Sequence, residues 1–202
     1  MSTILIARHG PVALPAPRFP SRDEFDAYVR AYETAALTQA PPPPDLARRI
    51  QSASTLFASA SPRSLLSASR LAPARIPIVD SLFGEEPQII PQIGGRWPLI
   101  CWFSLARGME TFHPREAARR DALRRRAEAA AQILIDAAQQ GSAQENSAAL
   151  IGHGWFNRAI TRALHQSNWR RLDISAGSGA LGRVSAVSGY AVFAPGGAKF
   201  GD

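Results

Sequence analysis

Two histidines sit in matching surroundings, and imidazole is the side chain best suited to nucleophilic or proton-transfer work near neutral pH. His9 closes the run TILIARHG and His153 closes AALIGHG. Each follows a short apolar stretch that reads as a buried strand. Ligands of open α/β sheets lie outside the carboxyl ends of the strands, so two imidazoles delivered there can share one pocket. The glycines beside them permit tight turns and let backbone N–H groups approach an anion, which makes Gly154 a candidate binding residue. A helix expected from about 155 turns its positive end toward the same anion.

Cations stand beside these imidazoles. Arg8 precedes His9, and Arg63 follows a third strand end in FASASPRS. Two guanidiniums and two imidazoles converging on one spot form a hole of phosphate size, because the planar fork of arginine grips phosphate oxygens in pairs and stays charged. Transfer of a phosphoryl group also needs a proton donor for the leaving oxygen. The stretch DSLFGEEP puts Asp80, Glu85 and Glu86 near the same edge, and a carboxyl in a partly apolar pocket has the raised pKa such a donor needs. Position favours Glu85, with Glu86 and Asp80 as alternatives. His113 and His165 read as structural or exposed. Asn157 and Arg158 could reach the site from the helix after His153, although a salt bridge elsewhere is the favoured reading of Arg158.

The elements that must carry these groups alternate. Strands are expected at 3–7, 54–58, 76–80 and 147–151, with two weaker patterns within 180–194 (LGRVSAV and YAVFA) as a hairpin or edge pair. Helices are expected at 22–37, with Ser21 as N-cap and Phe25, Tyr28, Val29 and Tyr32 at helical spacing, at 45–51, at 62–71, at 98–107 as a mostly buried helix, at 114–139 with Pro114 in its first turn, and at 155–166. Prolines at 11–20 and 41–44 and the Gly/Pro-rich stretch 84–96 are loops. Strand–helix alternation implies a three-layer α/β/α sandwich with a mainly parallel central sheet. The 202 residues suit a single domain, 1–202, with a helical lid-like insert at about 86–112 that carries Trp97, Trp102, Phe103 and Phe112.

Composition narrows the classes. With 46% hydrophobic and 19% charged residues, the chain is neither disordered nor a coiled coil. No apolar run reaches the roughly 18 residues of a membrane span, and the N-terminus reads as a strand instead of a signal peptide. The net charge of +7 comes almost wholly from arginine. The clusters Arg119-Arg120 and Arg124-Arg125-Arg126 fall in a helical pattern and read as a solvated face, so nucleic acid is not an expected partner. The single cysteine, Cys101, excludes an internal disulfide and a zinc cluster, and its apolar context suggests a buried thiol. A reducing cytoplasm fits that usage.

These motifs together resemble the histidine phosphatase (phosphoglycerate mutase-like) superfamily, branch 1. The apolar strand with Arg8-His9-Gly10, the Ser59-x-x-x-Arg63 segment and Gly152-His153-Gly154 stand in the family's order, over about residues 3–165. The resemblance implies a metal-independent phosphatase without cofactor, acting on a small phosphorylated substrate. His9 would form a phosphohistidine; Arg8, Arg63 and His153 would hold the equatorial oxygens; Glu85 would protonate the leaving group and then activate water. Protein phosphohistidine phosphatase activity and low-turnover phosphate binding on the same fold are the rival readings. The chain departs from familiar members in Pro11-Val12-Ala13-Leu14-Pro15 after the first motif and in Ser64 after Arg63. Those changes weaken any expectation of phosphoglycerate mutase activity. The Trp-rich insert resembles that of a bacterial subgroup. Substrate identity and oligomeric state are not legible.

Overall fold

The computed structural model describes residues 2–140, 146–174 and 190–196. Six strands form one sheet in the order β3-β2-β4-β1-β6-β5: β1 (Thr3–Arg8), β2 (Thr55–Ser59), β3 (Ile78–Asp80), β4 (Ser147–Gly152), β5 (Trp169–Ile174) and β6 (Tyr190–Pro195). The first four strands are mutually parallel, and β6 runs antiparallel to both β1 and β5. All four parallel strands therefore end at one edge of the sheet.

Strands β1, β2, β4 and β6 are buried on both faces, so their apolar runs feed two separate cores. Ile4 and Ile6 of β1 point to a core closed by α5 (Ala117–Gln140) and α6 (Gly154–Gln166), through Leu134, Phe156 and Ile160. Leu5 and Ala7 point to the other core, closed by α2 (Pro44–Ser52) and α3 (Pro62–Leu71), through Leu46, Ile50 and Leu71. This two-fold alternation builds the expected α/β/α layers.

Local departures have local causes. Helix α1 (Arg22–Thr34) begins with a capping box in which Ser21 and Glu24 exchange side-chain bonds. It stops at Thr34, short of the expected 37, because Leu37 bridges Val12 and the carbonyl of Ala36 accepts from Ala13. Pro114 opens a single 3-10 turn, Pro114–Glu116, before α5 starts at Ala117. Strand β5 has no counterpart in the expectations. YAVFA does form an edge pair, with β5 as its partner; LGRVSAV lies outside the described residues.

Helix α4 (Leu99–Phe112) is longer than expected and is not mostly buried: only Trp102 and Ala106 are. Trp102 stacks on Phe25 of α1, with ring centroids 5.3 Å apart, and its indole N–H donates to the carbonyl of Pro20 at 2.9 Å. Cys101 lies on the exposed side of this helix, so the buried-thiol expectation is wrong. Amphipathic helical spacing turns it away from Trp102. Among the described residues no helix is long and apolar enough to cross a membrane.

Candidate active site

The parallel strands deliver the predicted side chains to one edge. β1 and β4 are neighbours with Arg8 paired to Gly152, and the His9 amide donates to the Gly152 carbonyl at 3.0 Å. The His9 and His153 rings consequently stand edge to face with centroids 5.4 Å apart, both buried. Arg63 arrives from the first turn of α3, held open by Pro62 and the Ser61 cap.

Hydrogen bonding sets the chemistry of His9. Its Nδ1 lies 2.8 Å from the Gly10 carbonyl oxygen, which can only accept. Nδ1 therefore carries the ring proton and Nε2 keeps its lone pair. Burial, with Arg8 beside it, pulls the pKa of His9 down to about 3. Burial, with Arg63 and Arg8, pulls His153 down to about 4. Both rings are thus neutral at physiological pH. Nε2 of His153 is 2.8 Å from the Ser59 hydroxyl at the end of β2, a buried contact that fixes the ring plane.

The cations are arranged around a residue that sequence reasoning took for part of an apolar helix stripe. Tyr32 of α1 accepts from Nη2 of Arg8 through its hydroxyl at 2.9 Å, and the Arg63 guanidinium lies over its ring at 5.0 Å. The Tyr32 carbonyl accepts from Nη1 of Arg63. The Tyr32 ring centroid is 6.3 Å from that of His9. The only signal in the sequence was a hydroxyl-bearing aromatic on the site side of an amphipathic helix. Nε of Arg63 is buried without a partner among the described residues, an unsatisfied donor of the kind an anion relieves.

The three candidate acids separate. Asp80 caps the short turn Ser81–Phe83 by accepting from the Leu82 amide at 2.8 Å. Glu86 turns away to Arg126 at 2.9 Å and Arg119 at 3.6 Å. Glu85 turns to the start of α6: Oε2 accepts from Trp155 N–H at 3.1 Å, and Oε1 accepts from Phe156 N–H at 2.9 Å. Burial outweighs these amide bonds, which favour the anion, and raises the Glu85 pKa. Its charge also acts on Arg63. Glu85 thus takes the second and third amides of α6, so an anion at this helix end is left the first, that of Gly154.

The glycines of Gly-His-Gly serve close approach and not unusual backbone angles, since among described glycines only Gly95 has positive φ. A Cβ on Gly152 would stand 2.5 Å from Oδ1 of Asn157, and one on Gly154 would stand 3.4 Å from the Arg8 side chain. Asn157 serves the site indirectly, through Nδ2 to the Ala7 carbonyl at 3.0 Å. Arg158 lies over the Trp155 ring at 5.5 Å. His113 caps the turn before α5, and His165 bonds the Trp169 carbonyl at 3.1 Å, so each has a local structural partner. A cavity of about 240 Å³ between α5 and α6, floored by Leu123, Ala127 and Ala159, has neither histidine in its wall. Among the described residues no cluster of His, Cys, Asp or Glu could hold a metal ion.

Comparison with solved structures finds two phosphoserine phosphatase structures from Entamoeba histolytica. One, a mutant in complex with phosphoserine, is 15% identical over 82% of this chain and 81% of that chain, with TM-score 0.53. The other, in complex with 3-phosphoglyceric acid, is 15% identical over the same shares, with TM-score 0.52. The chain shares the fold of these structures. No protein-family model matches the sequence, and a search of curated proteins finds no match. The described edge carries the paired imidazoles, the two arginines and a half-buried carboxyl whose charge acts on Arg63.

Proposed function

We propose that this protein is a metal-independent phosphatase that hydrolyses a small phosphomonoester through a phosphohistidine on His9. The observation that carries the reading is the neutral His9 ring with its proton fixed on Nδ1, beside an unsatisfied Arg63 donor. Nε2 attacks phosphorus in line; the P–N bond forms as the bond to the ester oxygen breaks. Arg8, Arg63 and the Gly154 amide hold the equatorial oxygens. With Nε2 of His153 taken by Ser59, Nδ1 is the nitrogen left to face the phosphoryl group.

Glu85 gives its proton to the departing oxygen, so that an alcohol leaves. Oε1 also takes the Glu86 amide at 3.3 Å, so Oε2, with one amide partner, is the better place for that proton. The Glu85 carboxylate then takes a proton from water, whose oxygen attacks phosphorus; the P–N bond breaks and inorganic phosphate departs. Glu85 is again protonated and His9 again neutral, so the cycle balances. The dianionic substrate raises both imidazole pKa values, and His153 gains a proton as binding proceeds.

The test is turnover of 4-nitrophenyl phosphate by wild type beside His9→Ala, with an acid-labile phosphoprotein trapped by quenching. Turnover that disappears in the variant supports the reading. Equal rates in both would refute it, and binding of phosphate without any turnover would point to a binding protein on the same fold.

A further inference from the structure

Three amides hold Glu85, its neighbour Glu86 and two from α6, and each of the two from α6 belongs to an aromatic residue under an arginine. The Arg107 guanidinium of α4 lies 4.2 Å from the Trp155 ring centroid, and the Arg126 guanidinium of α5 lies 4.0 Å from that of Phe156. Both cations are fixed in place. Arg107 pairs with Glu110 and donates to Oε1 of Gln88 at 2.8 Å. Arg126 donates to the Gly84 carbonyl at 2.9 Å and pairs with Glu86 at 2.9 Å, thereby binding the residues on either side of Glu85. So Arg126 does not belong to the solvated face that its cluster suggested.

We infer that Arg107 and Arg126 are positioning residues for Glu85: their guanidiniums clasp the rings of Trp155 and Phe156, whose backbone N–H groups hold the two carboxylate oxygens. A planar cation over an aromatic face is attracted by the ring quadrupole, most strongly where water is excluded. Stacking fixes the first turn of α6, and the fixed amides fix the carboxyl. The inference rests on the proposed role of Glu85 as proton donor. It also gives the Trp-rich insert a task, since α4 supplies Arg107. The charged groups that act on Glu85 or flank it are Arg107 from α4, Arg63 from α3, adjacent Glu86, and Arg126 from α5 through its bonds to Gly84 and Glu86.

The experiment compares kcat/KM for 4-nitrophenyl phosphate, whose leaving group needs little proton assistance, with that for phenyl phosphate, whose leaving group needs much. Glu85→Gln should lose about tenfold more on phenyl phosphate than on 4-nitrophenyl phosphate. Arg107→Met and Arg126→Met should show the same bias, about threefold or more. Arg107→Met should also move the alkaline limb of the phenyl phosphate profile upward, because a cation that favours the Glu85 anion is gone; Arg107→Lys should restore it. Should Arg126→Met fail to fold, Arg126→Lys takes its place, keeping the ion pair with Glu86 but not the planar stack. Equal losses on both substrates with an unmoved limb would overturn the inference alone. An unbiased Glu85→Gln enzyme would overturn the acid assignment and the inference with it.

Discussion

Acidification from pH 8 to pH 5 should cost this protein stability through two identifiable side chains. Burial, with neighbouring arginines, lowers His9 from 6.5 to about 3 and His153 from 6.5 to about 4. Unfolding releases both rings to their ordinary value. Because the folded pKa values are depressed, the unfolded chain binds more protons on the acid side. The stability is fully present above about pH 6.5 and drains away as pH falls toward the folded values. At pH 5 an unfolded imidazole is almost wholly protonated while its folded counterpart stays neutral, so each ring costs about 2 kcal/mol, and the pair about 4 kcal/mol. That figure hardly depends on the folded values so long as both lie below 5. Urea unfolding at pH 8, 7, 6 and 5 measures it, with wild type beside His9→Asn and His153→Asn. Subtracting variant from wild type cancels titration elsewhere, and each difference should shift by about 2 kcal/mol against wild type at pH 5. Parallel pH dependence in wild type and variants would mean that neither ring is held neutral, and the lone pair assigned to His9 would lose its basis.

Further outcomes follow from single contacts. Tyr32→Phe removes the Arg8 hydroxyl partner but keeps the ring under Arg63, so KM for an aryl phosphate should rise about threefold to tenfold with kcat little changed. Ser59→Ala strips His153 of its buried partner; denaturation should report a loss of about 1–2 kcal/mol, and kcat should fall. Gly152→Ala pushes Asn157 away from the Ala7 carbonyl and should cost about 1–3 kcal/mol in the same assay, whereas Gly10→Ala, whose Cβ would meet nothing nearer than 3.6 Å, should be milder. Inorganic phosphate binding followed by calorimetry in two buffers of different ionisation heat should report proton uptake near pH 7; no uptake would contradict the proposed charging of His153.

Legibility in the sequence followed the type of signal. Strand runs ending in Arg8-His9-Gly10 and Gly152-His153-Gly154 were readable because strands buried on both faces are continuously apolar and their ends are marked by glycine. Strand β5 escaped because Arg170, Arg171 and Leu172 are all exposed on this edge strand, which erases the alternation that a half-buried strand shows. Tyr32 looked like packing because helical spacing cannot distinguish a core aromatic from one that leans on two guanidiniums. The choice among Asp80, Glu85 and Glu86 depended on which carboxyl meets the amides of a helix 70 residues further on, a long-range fact that local spacing does not encode. The same holds for Arg126, which shares its run with solvent-facing Arg124 and Arg125 and differs only in what lies beneath it.

The adjacency of β1 and β4 works as a ruler. Neighbouring strands keep a spacing of about 4.8 Å, set by peptide hydrogen bonds, and the two imidazole centroids, at 5.4 Å, inherit that interval directly. The gauge is set by β1 and β4 themselves, not by the length of the loops that join the elements between them. Selection can thus rework what enters the cleft while the distance that matters for bond making stays under the control of the sheet.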